Sequence, residues 1–235
     1  MVLKLRKMTL KIIGTSHISS QSIQEITKYV EEEKPEIIAI ELDVQRAAAL
    51  LQEEKRKVSA ADAFRIGLKG YLFAKIGQFV QQKLGKMVGV APGADMKTAM
   101  ELARKHKLKL AFIDQPIQIT LKKFSKSLSW KERGRFVADI FKGIFFKKRQ
   151  MKELGLNEFD LEKVPEEKLL LKMMQQMKSR YPNIYRVLVD DRNIYMTKQL
   201  VKLLRANPDK KILAVVGAGH KEGMQKLLLK VDVVR

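Results

Sequence analysis

The chain of 235 residues contains no cysteine. That absence excludes disulfides and thiolate zinc sites, so any bound metal must be held by imidazole and carboxylate. Histidine is scarce as well, with three residues, His17, His106 and His220. Aromatic residues make up 7%, and there is no helix-turn-helix signature or aromatic stacking motif, which speaks against a dedicated nucleic-acid module. Nowhere do about 18 uncharged apolar residues follow one another, the length a membrane-spanning helix requires. The N-terminal MVLKLRKMTLKIIG is basic and apolar, but its charges break the apolar run, so it lacks the hydrophobic core and cleavage site of a secretory signal. The expectation is a cytoplasmic or peripheral membrane protein. Acidic residues are in deficit, 26 against 47 basic ones, for a formal net charge of +21, which attracts phosphate-rich partners such as an anionic lipid surface.

What is present is a core. Hydrophobic residues account for 46% of the chain, enough for one generous domain. Leu10 to Ile13 is a short apolar run ended by Gly14 and followed by a helical pattern over 21–33. Ile37-Ile38-Ala39-Ile40, closed by Glu41, is too continuous for a half-exposed strand and suits the buried middle of a parallel sheet. Helices are expected over 44–57 and 96–105, with a third strand at Leu108 to Ile113 ending in Asp114. From Ile119 to Arg205 the pattern is helical and heavily charged, as in an insertion or cap. Ile212 to Val216 forms a further strand, followed by Gly217, His220, a helix from about Glu222 to Lys230 and a last strand at 231–234. Alternating strands and helices predict an α/β fold, a mainly parallel sheet flanked by helices, in one domain over 1–235 with a helical insertion at about 119–205.

Ligands of open parallel sheets bind beyond the carboxyl ends of the strands. Four such ends carry chemistry here: His17, Glu41, Asp114 and His220. Two of them share a turn, Gly14-Thr15-Ser16-His17 and Gly217-Ala218-Gly219-His220, in which glycine permits positive φ and close backbone approach. Two imidazoles and a carboxylate, His17, His220 and Glu41, form the usual set for a catalytic divalent cation without thiolates. Asp114 also reads as a helix cap or turn former. Arg46 reads either as surface arginine or as a clamp on a substrate carboxylate or on Glu41. His106, in a basic run at a helix C-terminus, reads as structural. The run Asp190-Asp191-Arg192-Asn193 reads on pattern alone as a solvated helix face. Phe64 to Met87 interleaves apolar and basic residues, which suits either an anionic membrane surface or packing against a neighbour; Phe141 to Lys148 is a shorter stretch of the same kind.

Five blocks in order resemble the TraB/PrgY/GumN family, which includes the TIKI proteins. They are Gly14 to Ser19 with Pro35 to Leu42 and Arg46; Gly89 to Met96, with Asp95 where glutamate is usual; Ala111 to Leu121, with Gln115 in place of arginine; Asp191-Arg192-Asn193, again with Asp for Glu; and Val215 to His220. The resemblance implies an α/β fold related to the erythromycin-esterase and ChaN-like groups. It also implies a metal-dependent hydrolase, peptidase-like, supported by Mn²⁺ or Co²⁺ and linked to the shutdown of peptide pheromones; Zn²⁺ is the further ion expected for an imidazole and carboxylate set. Carried over by position, His17, Glu41, Asp95 and His220 become ligands or acid–base groups, Arg46 and Arg192 substrate or supporting contacts, and Asp191 a member of the same site. The substrate expected is a peptide or small molecule, and a homo-oligomer is compatible with the sequence. A non-catalytic basic protein that binds a membrane surface or nucleic acid is the alternative.

Overall fold

The computed structural model describes residues 2–5, 8–15, 20–51, 93–127, 129–132, 134–135, 138–139 and 167–231. His17, the basic stretches at 64–87 and 141–148, and the expected final strand past Val231 lie outside them.

Five strands form one sheet: β1 (Val2–Leu5), β2 (Met8–Thr15), β3 (Ile37–Ile40), β4 (Lys109–Phe112) and β5 (Lys211–Gly217), in the order β1-β2-β5-β3-β4. The pairs β2–β5, β5–β3 and β3–β4 are parallel. Strand β1, expected from sequence only as the approach to the first strand, is a separate edge strand antiparallel to β2, with Val2 opposite Lys11 and Leu5 opposite Met8.

The helices among the described residues are α1 (Ser20–Glu33), α2 (Val44–Leu51), α3 (Ala94–Lys105), α4 (Ile117–Ser127), α5 (Glu167–Arg180), α6 (Pro182–Tyr185), α7 (Asp191–Ala206) and α8 (Ala218–Lys230). Between α6 and α7 lies a π-helical turn, Arg186–Asp190. No described helix is long and apolar enough to cross a membrane.

Successive side chains of a strand face opposite sides of the sheet, and the core divides accordingly. Leu10, Ile12, Ile37, Ala39, Ile212, Ala214 and Val216 pack against Met196, Leu200 and Leu204 of α7 and Met224 and Leu228 of α8. Ile13, Ile38, Ile40, Leu213 and Val215 pack on the other face against Ile26 and Val30 of α1 and Met96, Ala99 and Ala103 of α3. Each wholly buried isoleucine of β3 contributes roughly 1.5–3 kcal/mol of apolar burial. The spacing explains the helices. Met196, Leu200 and Leu204 recur every fourth residue, as do His220, Met224 and Leu228, so each helix lays one stripe on the sheet. Helix α7, which falls inside the expected insertion, is therefore part of the layer covering the sheet. A smaller cluster, Phe124, Ile184 and Val187, joins α4 to α6 and the π turn.

Candidate functional site

The register brings the strand ends to one edge. Thr15 pairs with Gly217 across β2 and β5, and Ile40 with Val215 and Phe112 on its two sides. Glu41, one residue past β3, Asp114, two past β4, and the first turn of α8 consequently share the carboxyl edge of the parallel strands, where a parallel sheet presents its ligand crevice.

Glu41 is anchored at both ends. Its backbone N–H donates to the Val215 carbonyl at 3.0 Å, and its Oε2 accepts from the Gly217 N–H, at the start of α8, at 2.6 Å. That leaves Oε1 facing Arg192 Nη2 and, at 3.4 Å, His220 Nε2.

Arg192 is the hub. A guanidinium carries five N–H groups, and each has an acceptor here. Nε donates to Asp114 Oδ1 at 3.1 Å, and Nη2 to Asp114 Oδ2 at 2.7 Å and to Glu41 Oε1. Nη1 donates to the Leu188 carbonyl at 3.3 Å and lies 3.0 Å from His220 Nε2. Burial by itself would push the arginine pKa down, but the charges of Glu41 and Asp114 and their hydrogen bonds outweigh it and raise it above the ordinary value. Arg192 is a fixed cation. The π turn sits immediately before it: Asp191 N–H reaches back five residues to the Arg186 carbonyl. π turns of this kind are frequent at functional sites.

Arg46 does not meet Glu41, the partner that sequence spacing allowed it. Its Nε donates to Asp43 Oδ2 at 2.8 Å and its Nη2 to Asp114 Oδ2, so two arginines hold Asp114 between them. Asp43, unremarked in the sequence, caps α2 by accepting from the Gln45 and Arg46 N–H groups and accepts the Ile117 N–H, at the start of α4, at 3.2 Å. Burial pushes its pKa up, but the backbone and side-chain hydrogen bonds from Arg46, the arginine charge and the Ile117 bond overcome this and hold the carboxyl below its usual range.

His220 stands on the first turn of α8, which begins at Ala218 rather than near Glu222. Gly217 has φ −58° and not a positive value. Close approach is the glycine property in use: a Cβ on Gly14 would lie 2.9 Å from Lys221 Cδ and 3.1 Å from Ala218 Cα, so only a bare backbone lets α8 start this close to β2. The His220 Nδ1 lies 2.7 Å from Asn193 Oδ1.

Asp95, at the start of α3, is buried and accepts the Thr15 hydroxyl, tying α3 to the end of β2. Asp191 turns outward to Lys123 Nζ at 2.8 Å, away from its neighbours Arg192 and Asn193. His106 caps the C-terminus of α3. Asp43, Asn193 and Thr15 are site residues not anticipated as such; for Asn193 the available signal was its position three residues ahead of Met196 on the buried stripe of α7.

Of the expected metal ligands, the described residues include Glu41 and His220, while His17 lies outside them. The place a cation would share between Glu41 and His220 is held by the Arg192 guanidinium, and no three carboxylate or imidazole groups among the described residues form a metal-holding set. A metal there would sit within a few ångströms of a fixed positive charge.

Comparison with known proteins gives a consistent pattern. The model of the TraB/PrgY/gumN family matches residues 2–231. The chain is 35% identical over 226 residues to an uncharacterized protein of Methanocaldococcus jannaschii, a match covering 94% of this chain and 53% of that protein. It is 26% and 25% identical over 243 residues to the TraB domain-containing proteins of Homo sapiens and Mus musculus, covering 92% of this chain and 61% of theirs. The chain thus spans little more than half the length of the curated relatives it matches.

Proposed function

The chain belongs to the TraB/PrgY/gumN family, and from that premise we propose that the cluster at the sheet edge hydrolyses a carboxyl-derived bond, the amide of a peptide or an ester. One observation supports this reading above the others: His220 Nε2 lies 3.0 Å from Arg192 Nη1 and 3.4 Å from Glu41 Oε1. An imidazole nitrogen, a carboxylate and a guanidinium meeting at the carboxyl edge of the sheet supply the parts such a reaction needs. His220, with Glu41 beside it, takes a proton from water as the oxygen attacks the carbonyl carbon. The guanidinium of Arg192 balances the negative charge that develops on the carbonyl oxygen. The proton then passes to the leaving nitrogen or oxygen as the carbon–heteroatom bond breaks. No step is routed through a metal.

The test is turnover of fluorogenic peptides and aryl esters by the purified chain and by His220→Ala and Glu41→Gln, with and without added Mn²⁺, Co²⁺ or Zn²⁺. Loss of general acid–base catalysis lowers kcat by about 10²–10⁴-fold. An unchanged rate in His220→Ala, or no turnover of either substrate class by the wild type under any of these conditions, overturns the reading.

The net charge of +21 favours a second reading, binding of an anionic membrane surface or nucleic acid. It requires binding that weakens steeply with salt and is indifferent to His220→Ala.

A further inference from the structure

Asn193 and Gly223 take no part in the chemistry just described, yet both are fitted to His220. The imidazole Nε2 lies 3.0 Å from Arg192 Nη1. A guanidinium can only donate, so this contact suits Nε2 as the accepting nitrogen, with the ring proton of a neutral imidazole on Nδ1. Asn193 Oδ1, 2.7 Å from Nδ1, is the acceptor that proton needs. Both side chains are buried, so water does not compete for the Nδ1 bond.

The Asn193 amide can lie there only because residue 223 has no side chain. A Cβ built on Gly223 would fall 2.3 Å from Asn193 Nδ2 and 3.2 Å from its Cγ. Gly223 lies inside α8, one turn beyond His220, where glycine is a poor helix former. The same helix thus carries the imidazole and, three residues on, the notch that admits the group orienting it.

We infer that Asn193 is the positioning residue for His220 and Gly223 the gap that seats it, together fixing the Nδ1–H tautomer and leaving Nε2 as the proton acceptor of the site. The nitrogen of a histidine that reacts is set by the hydrogen bond that the other makes, and a second-layer acceptor commonly sets it. Resting on the hydrolytic reading, the assignment gives that reaction its direction. On gaining a proton, Nε2 changes from acceptor to donor, loses its bond from Arg192 and turns to Glu41 Oε1, 3.4 Å away.

The test needs no substrate. Long-range ¹H–¹⁵N correlation spectra of histidine-labelled protein report the tautomer of each ring, and with three histidines in the chain the variants His106→Gln and His220→Gln assign the signals. Wild-type His220 is expected as Nδ1–H. Asn193→Ala and Gly223→Ala are both expected to move it toward the Nε2–H form that free imidazole prefers, and Asn193→Asp, which keeps an acceptor, to restore it. Gly223→Ala touches neither partner chemically and removes a poor helix former, so loss of the tautomer without a drop in Tm separates positioning from general support. Should Asn193→Ala fail to fold, Gly223→Ala decides alone. A wild-type Nε2–H tautomer, or an unshifted tautomer in Gly223→Ala, overturns the inference. Absence of hydrolysis in every assay would sink the proposed reaction and leave the tautomer result standing.

Discussion

Glu41 and Arg192 stand 151 positions apart in the chain and form a largely buried ion pair at the sheet edge, their side chains 5% and 15% exposed. A buried pair contributes little net stability relative to apolar packing, because desolvation offsets the attraction, but removing one partner strands the other. Arg192→Ala removes the guanidinium facing Glu41 and one of the two facing Asp114, and is expected to cost about 3–5 kcal/mol in urea unfolding. Arg192→Lys is expected to recover only part of it, since an ammonium cannot fork onto both Asp114 oxygens and still reach Glu41 and His220. A loss below about 1 kcal/mol, within the range of an exposed pair, would show that the guanidinium does not hold the cluster together.

Because the guanidinium and a divalent ion would use the same oxygens, they are alternatives. Wild-type protein is expected to show a small thermal shift with Mn²⁺ or Zn²⁺. Arg192→Ala, which removes the guanidinium shared by Glu41, Asp114 and His220 Nε2, is expected to show a larger one, through binding to the folded state. An equal or greater shift in the wild type would place a cation on the site with Arg192 still present, and would support the metal reading of His17, Glu41 and His220.

Much of this arrangement was legible in the sequence, and the rest was hidden for identifiable reasons. Continuous apolar runs closed by Glu41, Asp114 and Gly217 mark parallel strands, and the strand-end rule assembles their termini without coordinates. On pattern alone Arg192 and Asn193 were obscured, because a polar run in a helical pattern has the composition of a solvated face, and only the family resemblance pointed to Arg192. What buries them is the packing of α7 on the sheet, together with a π turn that pattern reading does not register. Arg46 illustrates a different limit: proximity in sequence suggested Glu41 as partner, while the fold gives Glu41 to Arg192 and Arg46 to Asp43 and Asp114. Gly223 left a faint signal, a helix interior bearing a residue that costs about 1 kcal/mol there relative to alanine.

Away from the site, Glu132 caps two helical segments with one carboxylate. It accepts from the Ser129 N–H at 3.1 Å, with Ser129 Oγ accepting the Glu132 N–H in return at 3.2 Å, the reciprocal pattern of a capping box. It also takes the Asn183 N–H and side-chain amide, each at 2.8 Å, at the start of α6. Glu132→Ala is expected to cost about 2–3 kcal/mol, the sum of a lost cap and part-buried donors left without their acceptor. The His220 tautomer should not move. A tautomer change in this variant would mean that the α4–α6 region is coupled to the site.

The Asp43 carboxyl gives a pH signature. Its pKa in the fold lies below the ordinary value because hydrogen bonds and the Arg46 charge outweigh the upward push of burial. A depressed carboxyl contributes stability that is fully present above its unfolded pKa, roughly pH 4, and is lost as pH falls through the lower folded value. Asparagine caps helices about as well as aspartate, so Asp43→Asn keeps the α2 cap and removes the charge facing Arg46. The stability advantage of wild type over Asp43→Asn is therefore expected to be constant from neutral pH down to about pH 5 and to shrink below about pH 4. Denaturant unfolding across that range measures it. An advantage that persists undiminished at the lowest pH would show that the geometry of the aspartate matters and its charge does not. An advantage that fades already near pH 6 would implicate a group of imidazole type in its place.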